Sequence, residues 1–350
     1  MKKKVYLVAG GTGGHINAAI AIGEKLESEG LDIEYLTGTR ELDYKLLSSY
    51  KTQHLDAKPL RTKNPLQLIR NILNNLKSFW KILKNFQETR PVFVVGAGGY
   101  VCGPTLLAAY LLGIKVYIIE QNAVMGLTNR LLSFFSSKIF VHFEKTLGLR
   151  PRDMHKVRVV GNPTRSTITP VPLKEPQEKL HVLVFGGSLG AKQINDTIFS
   201  LLKNLPFKEM VIHHQTGTET VEVSTEVEYV NSKYIDNMQR EYEWCDVIIS
   251  RAGASTISEL SIIKKPVLIF PYPHATDNHQ YHNAKIFQES SDFSVFVLDP
   301  KIALEEGVIQ VKDFLVKAKN KELKYTQAPS QGNNTCEAIV REIFEDVGMA

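Results

Sequence analysis

VYLVAGGTGGH, residues 5–15, and HVLVFGGSLGA, residues 181–191, decide how the rest of the chain is read. In each, a short apolar run of buried-strand type meets two glycines, a hydroxyl residue, a spacer and a further glycine. Gly10 corresponds to Gly186, Thr12 to Ser188 and Gly14 to Gly190, all at an offset of 176 residues. Convergent turn chemistry is the plain alternative, but a repeat at half the chain length fits two domains that each open with strand, glycine-rich turn and helix. Outward from these stretches, strand-like runs alternate with helix-like ones: DIEYLTG (32–38), PVFVVGAG (91–98), KVYIIEQ (115–121) and KIFVHF (138–143), then MVIHHQTG (210–217), CDVIISRAG (245–253) and KPVLIFPYP (265–273). The alternation predicts an α/β chain of two Rossmann-like, doubly wound parallel sheets facing a cleft. Ligands of such sheets bind at the C-terminal strand ends, so the motifs are expected to converge there.

At 350 residues the chain has room for two ordinary domains. Their boundary is expected in GNPTRSTITPVPLKEPQEKL, residues 161–180, where Pro163, Pro170, Pro172 and Pro176 each remove a backbone donor and disfavour helix. Domains over 1–162 and 163–334 follow. Three widely spaced cysteines, Cys102, Cys245 and Cys336, argue against a disulfide framework and for a reducing compartment. The basic start is followed by too short an apolar run for an export signal, and no run approaches the roughly 18 apolar residues of a membrane span. The chain is therefore expected to stay in the cytoplasm. A formal charge of +5 conceals +12 over residues 1–165 and −7 over residues 166–350. The basic half is expected to meet something anionic.

The first glycine loop is not a dinucleotide fingerprint, because Ile16 or Asn17 stands where the third glycine would fall and no acidic residue ends the second strand. A Walker A loop is absent too. What remains is that glycine lets backbone N–H groups approach an anion while the following helix start adds about half a positive charge. Four loops offer this, at residues 10–14, 96–99, 186–190 and 251–256. Any one alone reads equally well as a tight strand-to-helix turn.

The fourth loop, SRAGASTISEL (250–260), places Ala254, Ser255 and Thr256 at a helix start, their amides toward phosphate, with Glu259 a turn further in. A carboxylate there can accept both hydroxyls of a ribose diol; a dipole complement is the alternative. The next junction, PYPHATDNHQYHNA (271–284), is dense in mixed donors and acceptors of the kind sugars need. His279 and His282 with Asp277 lack a fourth convergent ligand, so no metal is expected. With no Asp-x-Asp pair in the chain, a departing diphosphate would rely on helix dipoles and an arginine, for which Arg165 is the natural choice. No cofactor is called for.

Residues 58–90 carry eight Lys and Arg against one acid, Glu88. At about 100° per residue, NPLQLIRNILNNLKSFWKILKNF makes roughly half its circumference apolar, in two arcs, with Arg70, Lys77, Lys81 and Lys84 stacked beside them. One arc suffices to pack on a sheet. Leu66, Ile69, Leu73, Leu76, Trp80 and Leu83 form one arc and Leu68, Ile72, Phe79, Ile82 and Phe86 the adjoining one, so the second is in excess. A membrane face of Phe79 and Trp80 with Lys77, Lys81 and Lys84 is expected to dip into an anionic headgroup region; burial of both arcs is the alternative. Positive charge on one amphipathic helix without an interleaved aromatic platform argues against nucleic acid.

GGTGGH (10–15), GAGGYVCGP (96–104), EQN (120–122), GNPTR (161–165), GGSLGA (186–191), SRAGASTISEL and DNHQYHNA (277–284) occur in the order of the MurG family of UDP-N-acetylglucosamine transferases, which the chain resembles over most of its length. The resemblance implies a two-Rossmann glycosyltransferase-B fold with a last helix, about 335–350, crossing back to the N-terminal domain. It implies a peripheral enzyme on the cytoplasmic face of the cell membrane. UDP-GlcNAc would be the donor and undecaprenyl-linked lipid I the acceptor, giving lipid II with inversion. Ser188 and Arg165 would approach the nucleotide, Ile235 the uracil, Glu259 the ribose, and Asn122, His279 and Gln280 the GlcNAc hydroxyls. Thr12, Gly13 and Gly14 would line the first loop and His15 would be the candidate base. Ala18 and Leu189 depart from the family's commoner Pro and Gln. The rivals are another lipid- or sterol-directed transferase of the same fold and a nucleotide-sugar-binding regulator without turnover.

Overall fold

The computed structural model describes residues 2–164, 167–172, 178–187, 190–203, 205, 208–219, 227–327 and 334–349. The chain forms β1 (Lys4–Ala9), α1 (Gly13–Ser28), β2 (Asp32–Thr37), α2 (Glu41–Leu46), β3 (Thr52–His54), α3 (Pro65–Thr89), β4 (Phe93–Gly98), α4 (Cys102–Leu111), β5 (Lys115–Glu120), α5 (Leu127–Leu132), β6 (Lys138–Val141) and β7 (Val157–Val159). It continues through β8 (Leu180–Phe185), α6 (Lys192–Leu202), β9 (Met210–Gln215), β10 (Glu228–Ser232), α7 (Met238–Trp244), β11 (Val247–Ser250), α8 (Ala254–Ile263), β12 (Val267–Ile269), α9 (His279–Ser290), β13 (Val295–Val297), α10 (Leu304–Lys319) and α11 (Thr335–Val347). Two compact units result: residues 1–166 with 333–350, and residues 167–332.

The first unit has a parallel sheet ordered β3-β2-β1-β4-β5-β6-β7, and the second one ordered β10-β9-β8-β11-β12-β13. Each central strand is covered on both faces by helices, which is why it reads as an unbroken apolar run and not as an alternation. In the first unit α1 and α11 cover one face, where Ile16, Ile22, Ile339, Val340 and Ile343 are buried with Val5, Leu7 and Phe93. The opposite face holds Ile82 and Phe86 of α3 and Leu106 of α4. The last helix is also fastened by charge: Lys115 Nζ lies 2.9 Å from Asp346 and Lys138 Nζ 2.8 Å from Glu342. Tyr117 donates to Asp346 at 2.6 Å.

Helix α3 begins where an Asn-Pro pair directs: Asn64 accepts from the amides of Leu66 and Gln67, and Pro65 opens the helix. Over its earlier turns, residues 65–78, the distribution of side chains is inverted for a surface helix, whereas Ile82 and Phe86 of its later turns face the core in the ordinary way. Asn71 and Ser78 are buried, and Asn71 and Asn75 donate to the carbonyls of Pro59 and Lys58. Leu66, Ile69, Ile72, Leu73, Leu76 and Trp80 are all exposed, Leu66 by 79% and Trp80 by 64%. Lys77, Lys81 and Lys84 are exposed as well. Phe79 departs from expectation. It turns toward the sheet and is partly buried against the core that holds Ile82 and Phe86, because these lie about one and two helical turns further along the same inward side.

In the second unit, His214 of β9 is fully buried, its Nε2 3.1 Å from Asn195 Oδ1 and its Nδ1 3.0 Å from Tyr229 Oη. Burial pushes its imidazole down to about 3. The unfolded chain would take up that proton near pH 6.5, so stability is lost as pH falls from about 6.5 toward 3, by roughly 4 kcal/mol. Thermal melts should slide down over that window, and His214→Leu should melt lower at neutral pH while showing a shallower slide.

Candidate functional site

Strand order reverses between β1 and β4 in the first sheet and between β8 and β11 in the second. At such a switch point the outgoing helices diverge to opposite faces and leave a crevice above the strand ends. The loop leaving β1 holds residues 10–12 before α1, Gly96 and Gly98 end β4 with Gly99 just beyond it, and residues 251–253 lead from β11 into α8. The loop leaving β8 opens on Gly186 and Gly187, and residues 188 and 189 lie outside the described ones. Glycine-rich segments therefore stand at the switch point of each unit.

In the first unit, Thr12 caps α1 and accepts from the His15 amide at 3.4 Å, while the first-turn amides of Gly13 and Gly14 have no acceptor within the helix. His15 Nδ1 lies 3.2 Å from the Gly10 carbonyl. A carbonyl only accepts, so Nδ1 carries the proton and Nε2 is the basic nitrogen. The imidazole rests on the backbone of Gly98, where a Cβ would meet its Cδ2 at 2.7 Å and where φ is +116°. Gly99 is equally constrained, since a Cβ would come within 2.0 Å of the Gly10 carbonyl oxygen. Beside the loop, Arg40 donates to the Gly11 carbonyl at 2.9 Å and its guanidinium lies 5.2 Å from the Tyr100 ring centre.

At the end of β5 the carboxylate of Glu120 is buried and accepts from the amides of Asn122 at 3.0 Å and Gly126 at 2.9 Å and from Asn129 Nδ2 at 3.0 Å. All of these partners are donors, which selects the anion. Burial is the stronger influence and holds its proton affinity above the ordinary value. The result is a rigid seat for Asn122, which is half-buried.

In the second unit Gly253 caps α8, so the amides of Ala254, Ser255 and Thr256 form its first turn. Glu259 accepts from the buried Tyr242 hydroxyl at 2.6 Å, which fixes one carboxylate oxygen. Arg251 does not point outward. It is buried beneath the loop, donating to Gln193 Oε1 at 2.8 Å and to the Phe270 carbonyl at 3.0 Å, and burial lowers it to about 10. The Ile235 side chain is buried, leaving its backbone as the part able to meet a ligand. Gln280 accepts from the Tyr272 amide at 2.9 Å and His279 Nδ1 lies 2.7 Å from the Thr276 carbonyl, so both are braced at the start of α9. Arg165 and Ser188 lie outside the described residues.

Arg40, Glu120, Tyr242 and Arg251 brace these segments through contacts that no sequence pattern marks: Glu120 and Arg251 lie within the EQN and SRAGASTISEL motifs, whereas Arg40 and Tyr242 lie outside every motif and meet Gly11 and Glu259 only through the fold. Among the described residues no group of three or more His, Cys, Asp or Glu side chains is arranged to hold a metal ion. No helix among them is long and apolar enough to cross a membrane.

Two Rossmann-like sheets, each with glycine-rich segments at its switch point, are the architecture of the glycosyltransferase-B fold. The chain belongs to glycosyltransferase family 28: the family's N-terminal domain matches residues 5–141 and its C-terminal domain residues 181–340. A relative from Shewanella loihica is 33% identical over 324 residues, covering 88% of this chain and 86% of its own. One from Coxiella burnetii is 33% identical over 315 residues, covering 86% of each chain. Both are named UDP-N-acetylglucosamine–N-acetylmuramyl-(pentapeptide) pyrophosphoryl-undecaprenol N-acetylglucosamine transferase. The crystal structure of Acinetobacter baumannii MurG superposes with a TM-score of 0.74 at 26% identity over 98% of this chain and 99% of that one. A UDP-GlcNAc 2-epimerase from Neisseria meningitidis shares the fold, with a TM-score of 0.62 at 17% identity over 98% and 100%.

Proposed function

We propose that this enzyme moves N-acetylglucosamine from UDP-N-acetylglucosamine to the C4 hydroxyl of the N-acetylmuramyl sugar of lipid I, forming lipid II for peptidoglycan synthesis. The observation that carries the reading is the likeness, across 88% of the chain, to transferases bearing that name. The site chemistry supports it. In the second unit, first-turn amides of α8 suit a diphosphate, Glu259 a ribose diol, the Ile235 backbone a uracil, and His279 and Gln280 sugar hydroxyls. Arg165 and Ser188 are proposed to complete the diphosphate site. In the first unit, Asn122 is proposed to meet a GlcNAc hydroxyl, and Thr12, Gly13, Gly14 and Arg40 the acceptor's diphosphate.

The acceptor hydroxyl gives its proton to His15 Nε2, its oxygen bonds to the anomeric carbon, and the bond to UDP breaks on the opposite face. UDP departs with the electron pair, stabilised by helix-start amides in place of a cation. The exposed apolar arc of α3 with its lysines is proposed to hold the enzyme on the anionic cytoplasmic face of the cell membrane, where the acceptor is tethered.

Release of UDP should depend on a lipid I analogue, prefer UDP-GlcNAc to UDP-glucose, and survive a chelator without added magnesium. Turnover with a sterol or another lipid in place of the analogue would favour a different transferase. Binding without release would favour a regulator, and loss of activity to the chelator would remove the metal-free step.

A further inference from the structure

A compact polar group whose members flank residues 233–237 takes no part in the steps above. His213 of β9 places Nδ1 2.7 Å from Glu241 Oε2 on α7 and Nε2 2.8 Å from Ser232 Oγ at the end of β10. A carboxylate only accepts, so Nδ1 donates to Glu241 and Nε2 accepts from the Ser232 hydroxyl. The His213 and Glu241 side chains are only 18% and 16% exposed, and Trp244 lies edge-on to the imidazole at 6.2 Å. Ser232 and Glu241 stand on either side of residues 233–237, the stretch that contains Ile235 and ends at Asn237, which caps α7 by accepting from the Arg240 amide at 3.1 Å. The imidazole therefore ties the entry of that stretch to the helix at its exit. The residue after Glu241 is Tyr242, whose hydroxyl holds Glu259. One short helix links the imidazole to both the base segment and the ribose carboxylate.

We infer that His213 is a positioning residue for the nucleoside end of the donor: it fixes residues 233–237 and α7 so that the Ile235 backbone and Glu259 present one preformed surface to uridine. The inference rests on the second unit being the donor site. A tied segment loses less conformational freedom when ligand binds, so cutting the tie weakens binding without touching the reacting atoms.

The test uses the full chain. His213→Ala should weaken UDP binding by calorimetry about tenfold, the scale of one buried charge-assisted hydrogen bond. KM for UDP-GlcNAc should rise in parallel, kcat at saturating donor should stay within about twofold, and the preference for UDP over CDP should shrink. His213→Gln, whose amide can donate to Glu241 and accept from Ser232, should recover most of the affinity; a general loss of stability would not be rescued so selectively. Should His213→Ala fail to fold, Ser232→Ala severs one arm alone and should weaken UDP binding severalfold. An unchanged UDP affinity in the folded variant, or a fall in kcat at constant KM, overturns the role. Labelling of Ser232 by a fluorophosphonate would make the group a nucleophile and overturn it too. If the unaltered enzyme itself binds UDP no better than CDP, the donor-site reading fails; if it prefers UDP and His213→Ala changes nothing, only the tie fails.

Discussion

His15→Ala should lower kcat by about 10²–10⁴-fold, the range general-base catalysis supplies, with little change in KM for UDP-GlcNAc. Its backbone amide, which completes the Thr12 cap, is untouched by the substitution, so α1 keeps its start. What disappears is a basic nitrogen whose tautomer is set by the Gly10 carbonyl. Gly98→Ala offers an independent check. The added methyl would meet the ring at 2.7 Å from Cδ2, on a backbone with φ of +116°, so the imidazole must move with its chemistry intact. A misplacement near 1 Å costs on the order of 10²-fold when a reacting group is involved. Steady-state rates with a soluble acceptor analogue read both variants. A drop of less than about tenfold for His15→Ala would remove the base role, leaving the imidazole as a loop brace.

The glycine loops and the helix start of α8 were legible because turn chemistry is local: a positive φ or a close backbone approach leaves its mark as a glycine at a fixed offset from a strand. The switch points that pair those loops follow from strand order, which a repeat of 176 residues suggests but does not set. Glu120 was hidden for a different reason. Its importance comes from donors two, six and nine residues on that fold back over it, a relation without periodicity. Arg251 looked like part of a phosphate loop and is instead a buried brace, since a guanidinium offers five donors and three carbonyl or amide oxygens converge beneath the turn. The edge strands β3, β7, β10 and β13 leave little mark in the sequence because they are short, and pairing along one side does not demand an apolar run. On α3 the periodicity located two apolar arcs, but the choice of outward arc depended on which polar residues had partners inside. Asn71 and Asn75 find theirs on the Pro59 and Lys58 backbone, and that decided the rotation of the helix.

That rotation makes the second large prediction sharper than the helical wheel alone allowed. Phe79→Glu would place a charge against the core and unfold the first unit, so it says nothing about a membrane. Leu76 and Trp80 are 49% and 64% exposed, so Leu76→Glu with Trp80→Glu should leave the melting temperature nearly unchanged. On an anionic surface the same pair should be severe. Two large apolar side chains each forfeit about 1.5–3 kcal/mol of burial, and two new carboxylates oppose a lysine stripe that contributes about 1 kcal/mol per residue near anionic lipid. The partition onto vesicles containing anionic lipid should fall at least 10²-fold, while kcat on a soluble acceptor analogue stays within about twofold. Neutralising Lys77, Lys81 and Lys84 together should weaken binding less and flatten its dependence on salt, because the apolar arc remains. Cosedimentation of the double glutamate variant at the level of the unaltered enzyme would show that another part of the molecule meets the bilayer.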